Sequence, residues 1–479
     1  MKNYDVIVIG GGATGANILR ELSKYELDLL LLEANTDVGA GVTKGNGGVV
    51  HSGYDATAGS LKAKLNVRGA EIFEQYAKDL GIPYERKPSM TLAFNESEKE
   101  TLDKLYENGK QNKVPGLRII KTDEILELEP HANPEAKYAL LAPSAGITDP
   151  YTIAEACCEN AVINGAEVKT SNTVCDIKKD GDFYTVKTKE GKYYKTKYIV
   201  NAAGVYGDVI ANLVNPGSHE ITERHGSLMI IDGNIGFELQ TTLFPVPGAH
   251  TKGMAAIPAC GGNIILGSTA EVQKDKENTS FTKEQADLLF NSASRLIPEL
   301  EKKYIIRVFA GLRPVEVNSN NDFVIEEDVK NKGFYNAIGI QSPGIASSFA
   351  IAEYLVDLMK KDNKFIEKAN YDKTRKAIVD FSKLSTEERK KLVDKDPKYA
   401  NVICRCEVVP EAEILDSIRR PCGATTVDGV KRRTRSGMGR CQGGFCESRI
   451  VEILSKELGK KPEEILKENN GSEILIGEE

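Results

Sequence analysis

The chain has 479 residues, which at roughly 150 residues per domain suggests about three domains, and its 41% hydrophobic residues can build ordinary buried cores. Sixty-three Lys and Arg against 70 Asp and Glu leave a net charge of −7, so no global basic excess draws it to nucleic acid or an anionic membrane. Nine cysteines are an odd number for a disulfide framework, and five of them fall at Cys404 or later, so the C-terminus reads as a separate module with metal or redox chemistry.

In chain order, YDVIVI (4–9) is a short apolar β run, GGGATG follows it, and ANILRELSKY then shows helical spacing at Ile18, Leu19 and Leu22. LDLLLLEA is a second buried parallel strand ending in Glu33, which completes a β-α-β unit. Residues 60–80 and 151–164 are predicted helices, and 182–201 alternates as strand, turn and strand. Between 216 and 310, runs such as LMIID, MAAIP and NIILGS separated by Pro and Gly predict an antiparallel sheet. The stretch 360–400 is polar and Lys-rich and reads as a solvated connector, and two tail helices, ESRIVEILSKEL and PEEILKE, are expected after the last cysteine. The apolar run Leu27 to Leu32 is far short of the ~20 residues of a membrane span, and no cleavable signal is visible, so a cytoplasmic protein is expected.

Gly10, Gly12 and Gly15 fit G-x-G-x-x-G between a strand and a helix, and Glu33 follows 18 residues after Gly15. Such glycines let a pyrophosphate approach the backbone at a helix N-terminus, where free N–H groups and the positive end of the dipole lie, while the acid accepts from ribose hydroxyls. This predicts dinucleotide binding. A second Gly-rich segment, 39–55, would suit packing against a large flat ring, and no second fingerprint marks a separate NAD(P) domain.

The fingerprint, NGGVVHSGYD, SLKAKLN, GITDPY, NAAGVYGD, HTKGMAAIP with GNIILGSTAE, AGLRPV and GIQSPGIASS resemble, in that order, the D-amino-acid-oxidase-type FAD oxidoreductases, and most the glycerol-3-phosphate dehydrogenase and L-2-hydroxyglutarate dehydrogenase branch. The resemblance implies an α/β protein with a Rossmann-type FAD-binding domain (1–85, 140–215 and 311–360) and an inserted antiparallel-sheet substrate domain of α+β type (86–139 and 216–310). A linker (361–399) and a C-terminal domain with its tail (400–479) follow. It implies FAD contacts at Gly10, Gly12, Ala13, Thr14, Gly15, Glu33, Thr43, Asn46, Gly47, Gly48, Val174, Gly204, Ser342, Gly344 and Ile345.

Oxidising a secondary alcohol with a flavin needs a base for the hydroxyl proton, and histidine suits that role near neutral pH. His51 lies in the segment expected against the flavin, and the family places a His there. An anionic substrate group needs a cation: Arg313 in AGLRPV can grip carboxylate or phosphate bidentately, and Lys252 in HTKG matches a family position for the substrate anion. Tyr54, Ser347 and Ser348 are further substrate candidates, and Arg224 and His225 weaker ones. The family commonly has Ser where this chain has Gly47, which removes a donor and loosens phosphate specificity, while Gly53-Tyr54-Asp55 is closer to the glycerol-3-phosphate branch.

Cys404 and Cys406 form C-x-C, Cys441 and Cys446 form C-x4-C, and 34 residues separate the pairs. Four thiolates can hold zinc or a 2Fe-2S cluster. Seven basic residues (Arg419, Arg420, Lys431, Arg432, Arg433, Arg435, Arg440) against Asp428 between Ile418 and Arg440 give a local +6, expected to offset the charge of the thiolates. The pattern is similar to the 2Fe-2S domain of bacterioferritin-associated ferredoxin, also found at the C-terminus of anaerobic glycerol-3-phosphate dehydrogenases. Cys422 is expected to be packed rather than a ligand, and Cys157, Cys158, Cys175 and Cys260 to be core residues.

The implied activity is FAD-dependent oxidation of sn-glycerol 3-phosphate to dihydroxyacetone phosphate, with electrons leaving through the cluster to a protein or quinone-linked acceptor, in the cytoplasm or at the membrane through partner subunits. One alternative is oxidation of L-2-hydroxyglutarate or another 2-hydroxy acid. Another, kept open by Gly47, is an electron-transfer or iron-sulfur sensing subunit without turnover.

Overall fold

The computed structural model describes residues 2–248 and 253–475. Its first sheet has eight strands. At its centre Asn3–Ile9 pairs in parallel with Leu29–Leu32 on one side and with Tyr193–Asn201 on the other. All four leucines of Leu29–Leu32 are buried, as expected of a parallel strand covered on both faces. The far edge of Tyr193–Asn201 is shared, its first half by the hairpin strand Phe183–Thr188 and its second half by the parallel strand Phe334–Ile338. The helix Ala13–Leu22 packs on the helices Pro150–Ile163 and Gly344–Lys360, and the last also lies along Leu61–Leu80. Ser60 caps Leu61–Leu80 by accepting from Ala63 N–H, and Gly81 ends it in the left-handed conformation.

The second sheet has nine strands and is largely antiparallel. Its long pair is Ile221–Ile231 against Ile305–Glu316, followed outward by Ile264–Gly267, Ala255–Pro258 and Thr242–Pro245. Thr242–Pro245 then runs parallel to Ser89–Ala93, so the sheet draws strands from before residue 100 and after residue 300. One face is covered by the helix Lys283–Leu296, which starts with a Thr282/Gln285 capping box and buries Leu289, Phe290, Ala293 and Leu296.

The C-terminal module has its own core of Ile403, Val409, Ile414, Val430, Ile450, Val451 and Leu454, built from the helices Glu411–Arg419, Val427–Thr434 and Glu447–Leu458. Two expectations are corrected. PEEILKE forms only a 3-10 turn at Pro462–Glu464, too short for a helix. The 360–400 stretch is anchored rather than solvated throughout: Arg375 is buried in an ion pair with Glu159, and Phe381 is buried with its N–H on Glu413. Among the described residues no helix is long and apolar enough to cross a membrane.

Candidate active site

The nucleotide turn is built by close approach. Gly10 has φ +106, and a Cβ on Gly15 would sit 2.0 Å from the Gly10 carbonyl oxygen, so only glycine lets helix and strand meet here. The helix Ala13–Leu22 has no side-chain cap at Gly12, and Ala13 N–H donates to Thr43 Oγ1 at 2.9 Å. Thr14 follows in the first turn. Beyond Thr43 Oγ1 at 3.2 Å nothing approaches the place of a Cβ at Gly12, and little approaches Gly204, which has φ +59. The turn is an open cradle at a helix N-terminus. Glu33 is buried, with its carboxylate accepting from Gly11 N–H at 2.6 Å and from the Asn35 N–H and amide. Burial pushes its pKa up against those hydrogen bonds. The carboxylate therefore braces the loop.

The 42–51 segment crosses the second sheet strand by strand. Gly45 packs on Gly311, where a Cβ would lie 2.7 Å from the Gly311 Cα, and a Cβ on Gly47 would meet Ile257 at 2.8 Å and Leu228 at 3.5 Å. Asn46 Oδ1 accepts from Gly48 N–H. Val49–Val50 then pairs with Gly146–Thr148, and the His51 ring lies 5.8 Å from that of Phe244. Asn66 holds the same residue through its carbonyl at 2.6 Å. Of the other expected cofactor residues, Val174 opens the strand Val174–Asp180, and Ser342, Gly344 and Ile345 form the turn into Gly344–Lys360.

On the sheet face beneath this segment, Arg224 is paired in register with Arg313. The Arg313 guanidinium donates to Thr269 and His225 carbonyls and to Ser268 Oγ, and a Cβ on Gly226 would lie 2.9 Å from its Nη2. Desolvation, and then the neighbouring Arg224, bring its pKa down to about 10. Two like charges directly opposite are unfavourable until an anion lies between them. The hydroxyls of the other candidates are already engaged. The Tyr54 hydroxyl is taken by Thr91 at 2.9 Å in a packed cluster, and Ser347 and Ser348 are fully buried with hydroxyls on the Pro343 and Ile345 carbonyls. Lys252 lies outside the described residues.

The four C-terminal cysteines come together in two pairs. Cys406 and Cys441 have their sulfurs 3.6 Å apart, and Cys446 donates to Cys404. That hydrogen bond, with the Gly437 and Glu407 N–H groups, lowers the Cys404 thiol and raises the Cys446 thiol, so the two share a proton. Two pairs of thiols match two irons better than one tetrahedral ion. The local basic excess is largely spent on ion pairs, which corrects its expected role. Arg433 is bidentate on Asp37 at 2.6 and 2.8 Å, Arg432 bridges Asp37 and Glu468, Arg420 meets Glu159 and Arg435 meets Glu407. Charge counting could not reveal these partners, because Asp37, Glu155 and Glu159 lie hundreds of residues upstream. The Cys422 thiol, pushed up to about 12 by burial, packs beside this interface.

Residues 5–358 match the family model described as FAD dependent oxidoreductase, and residues 402–456 the BFD-like [2Fe-2S] binding domain. The chain belongs to the FAD-dependent oxidoreductase family. This flavin-dependent oxidoreductase is 43% identical over 475 residues to a glycerol 3-phosphate dehydrogenase of Caloramator mitchellensis, covering 99% of this chain and 98% of that one. It superposes with TM-score 0.75 and 31% identity on the dithionite-reduced, FAD-bound L-α-glycerophosphate oxidase of Mycoplasma pneumoniae, covering 78% of this chain and 99% of that one. It is 28% identical to the mitochondrial L-2-hydroxyglutarate dehydrogenase of Bos taurus, over 74% of this chain and 88% of that one. The oxidoreductase thus has an FAD-binding fold and a 2Fe-2S-binding domain, acts on a CH–OH group, and has FAD and a 2Fe-2S cluster as cofactors. The open Gly12 cradle fits a pyrophosphate and the paired thiols fit a binuclear cluster.

Proposed function

We propose that the protein oxidises sn-glycerol 3-phosphate to dihydroxyacetone phosphate and passes the electrons through its cluster to a protein or quinone-linked acceptor, in the cytoplasm or at the membrane through partner subunits. The observation that carries the reading is the Arg224–Arg313 pair on the sheet face below the 42–51 segment. Two guanidiniums suit a dianionic phosphate, and the full-length likeness to a glycerol 3-phosphate dehydrogenase supports that choice.

Bound FAD supplies the two-electron acceptor for a hydride. Arg313, with Lys252, holds the phosphate and so fixes which carbon faces the flavin. His51 takes the hydroxyl proton on its ring as the C–H bond breaks; its backbone is held by Asn66 and its ring leans on Phe244. Ile257 and Leu228 lie against Gly47 and leave no room for a side chain there.

The test is anaerobic flavin bleaching by candidate substrates, followed by visible absorption. Full bleaching by glycerol 3-phosphate and none by L-2-hydroxyglutarate is expected; the reverse overturns the reading. A second reading, oxidation of a 2-hydroxy acid, draws on Gly47, which offers no side-chain donor to a phosphate. Reduction by a partner flavoprotein without bleaching by any hydroxy compound would instead assign an electron-transfer subunit. His51→Ala is expected to slow flavin reduction by ~10²–10⁴-fold with loss of its pH dependence.

A further inference from the structure

Apolar side chains are exposed at scattered points, but at one place an aromatic ring stands out beside a redox centre. Phe445, between Cys441 and Cys446, is 82% exposed, the most exposed aromatic side chain among the described residues. Burying that ring would remove on the order of 200 Å² of surface from water, and among the described residues no ring or cation contact engages it. The ligand Cys406 is itself exposed. Cys406 lies 3.6 Å from Cys441, four residues before Phe445, so an exposed ligand thiol and the exposed ring belong to the same cysteine loop.

The rim of this surface is cationic. Arg405 stands between Cys404 and Cys406, Arg440 precedes Cys441, and Arg449 lies one helical turn beyond Cys446; all three are exposed. Arg307, from the second sheet, reaches in through a hydrogen bond to Gln442 at 3.0 Å. The nearby carboxylates are already engaged, Glu407 by Arg435, Glu447 by Lys467 and buried Asp232 by Arg440 itself at 3.4 Å, so Arg405, Arg449 and Arg307 carry most of the rim's free charge; Glu452 sits a further turn along its helix. A chain of net charge −7 thus presents arginines around its cluster. Arginine and exposed aromatic residues are the side chains that protein interfaces favour as anchors.

We propose that the Phe445 surface, rimmed by Arg405, Arg440, Arg449 and Arg307, docks an acidic electron-transfer protein that takes electrons from the cluster. This rests on the reading of the cluster as the electron exit. The arginine rim steers an acidic partner, and the Phe445 ring fills a pocket on it to hold the two centres close. Each electron that leaves the reduced cluster reoxidises it and reduces the carrier's own redox centre by one, so two transfers balance each hydride removed from substrate. A protein fits better than a lipid surface, because one lone ring is a weak membrane anchor and planar guanidiniums match carboxylates bidentately.

The test uses the immobilised holoenzyme with three probes: an acidic flavodoxin, a basic cytochrome c, and vesicles of phosphatidylglycerol and phosphatidylcholine. Only the flavodoxin is expected to bind, with an association rate that falls at least ~10-fold from low to physiological salt. The triple variant Arg405→Gln, Arg440→Gln, Arg449→Gln should lower that rate about tenfold, and Phe445→Ala should raise the dissociation rate about tenfold. Unchanged flavin and cluster spectra in each variant show that both cofactors are loaded, and the conservative Phe445→Tyr should restore binding. Equal binding of cytochrome c, vesicle binding that Phe445→Ala abolishes, or variants that bind flavodoxin like the wild type would each overturn the proposal. Flavin bleaching by glycerol 3-phosphate is read separately. If bleaching fails while flavodoxin binds as expected, the substrate reading falls and the docking surface stands.

Discussion

Arg433 ties the C-terminal module to the nucleotide domain, and replacing it gives a prediction with a definite size. Its guanidinium is fully buried, with two nitrogens on the Asp37 carboxylate, a third contact to Glu155 at 3.5 Å, and donations to the Gly429 and Cys422 carbonyls. Arg433→Met removes one charge and leaves two buried carboxylates, of which Glu155 is already held up to about 7 by burial. Breaking one side of a buried pair costs about 3–5 kcal/mol, or roughly 150- to 5,000-fold in the ratio of docked to undocked module. Arg432 remains on Asp37 and places the outcome toward the lower end. The assay is limited proteolysis across residues 361–399 together with thermal unfolding of the C-terminal module. Arg433→Met should be cleaved far faster, and the double variant with Asp37→Asn should recover part of the loss because the stranded charge is gone. Wild-type protease resistance and melting in Arg433→Met would refute the view that these ion pairs hold the module in place.

Other consequences are equally direct. Glu413 is buried beneath the connector with its pKa raised to about 8, chiefly by desolvation, against an ordinary value of 4.5. A raised carboxyl pKa stabilises the fold fully below pH 4.5 and loses that contribution as pH rises through 8, so the wild type should lose about 3 kcal/mol between pH 6 and 9. Glu413→Gln should flatten the melting temperature over that range; a slope equal to wild type would refute the assignment. Gly15→Ala drives a methyl into the Gly10 carbonyl oxygen and should weaken FAD binding at least ~10-fold, read by flavin retained on gel filtration. Cys406→Ser should abolish cluster absorption while leaving flavin reduction by glycerol 3-phosphate intact.

The parts of the molecule that follow local rules were legible in the sequence. The strand, the three glycines and Glu33 announced the nucleotide turn, because close backbone approach leaves glycine no substitute, and the C-x-C and C-x4-C spacings marked the four thiols but not that they pair across the two motifs, Cys406 with Cys441 and Cys404 with Cys446. Long-range contacts were not legible. Nothing near Ser347 or Ser348 in the chain tells that their hydroxyls turn back onto helix carbonyls, since packing of that helix on Leu61–Leu80 decides it. Arg224 became prominent only when the strand register set it opposite Arg313. The run Lys431 to Arg433 looked like a charge reservoir because its acidic partners are distant in sequence.

Glu468 accepts from Lys44 and Arg432, and its backbone carbonyl takes the Thr36 hydroxyl, so the chain around Glu468 is tied to the loop after Leu29–Leu32 and to the 42–51 segment. Chains fold from the N-terminus as they emerge from the ribosome. The first sheet gains its final strand at Phe334–Ile338, more than a hundred residues before Glu468 is made. At several residues per second that interval lasts on the order of ten seconds. During it the nascent chain carries the strands of the first sheet without the Glu468 contacts to Thr36, Lys44 and Arg432.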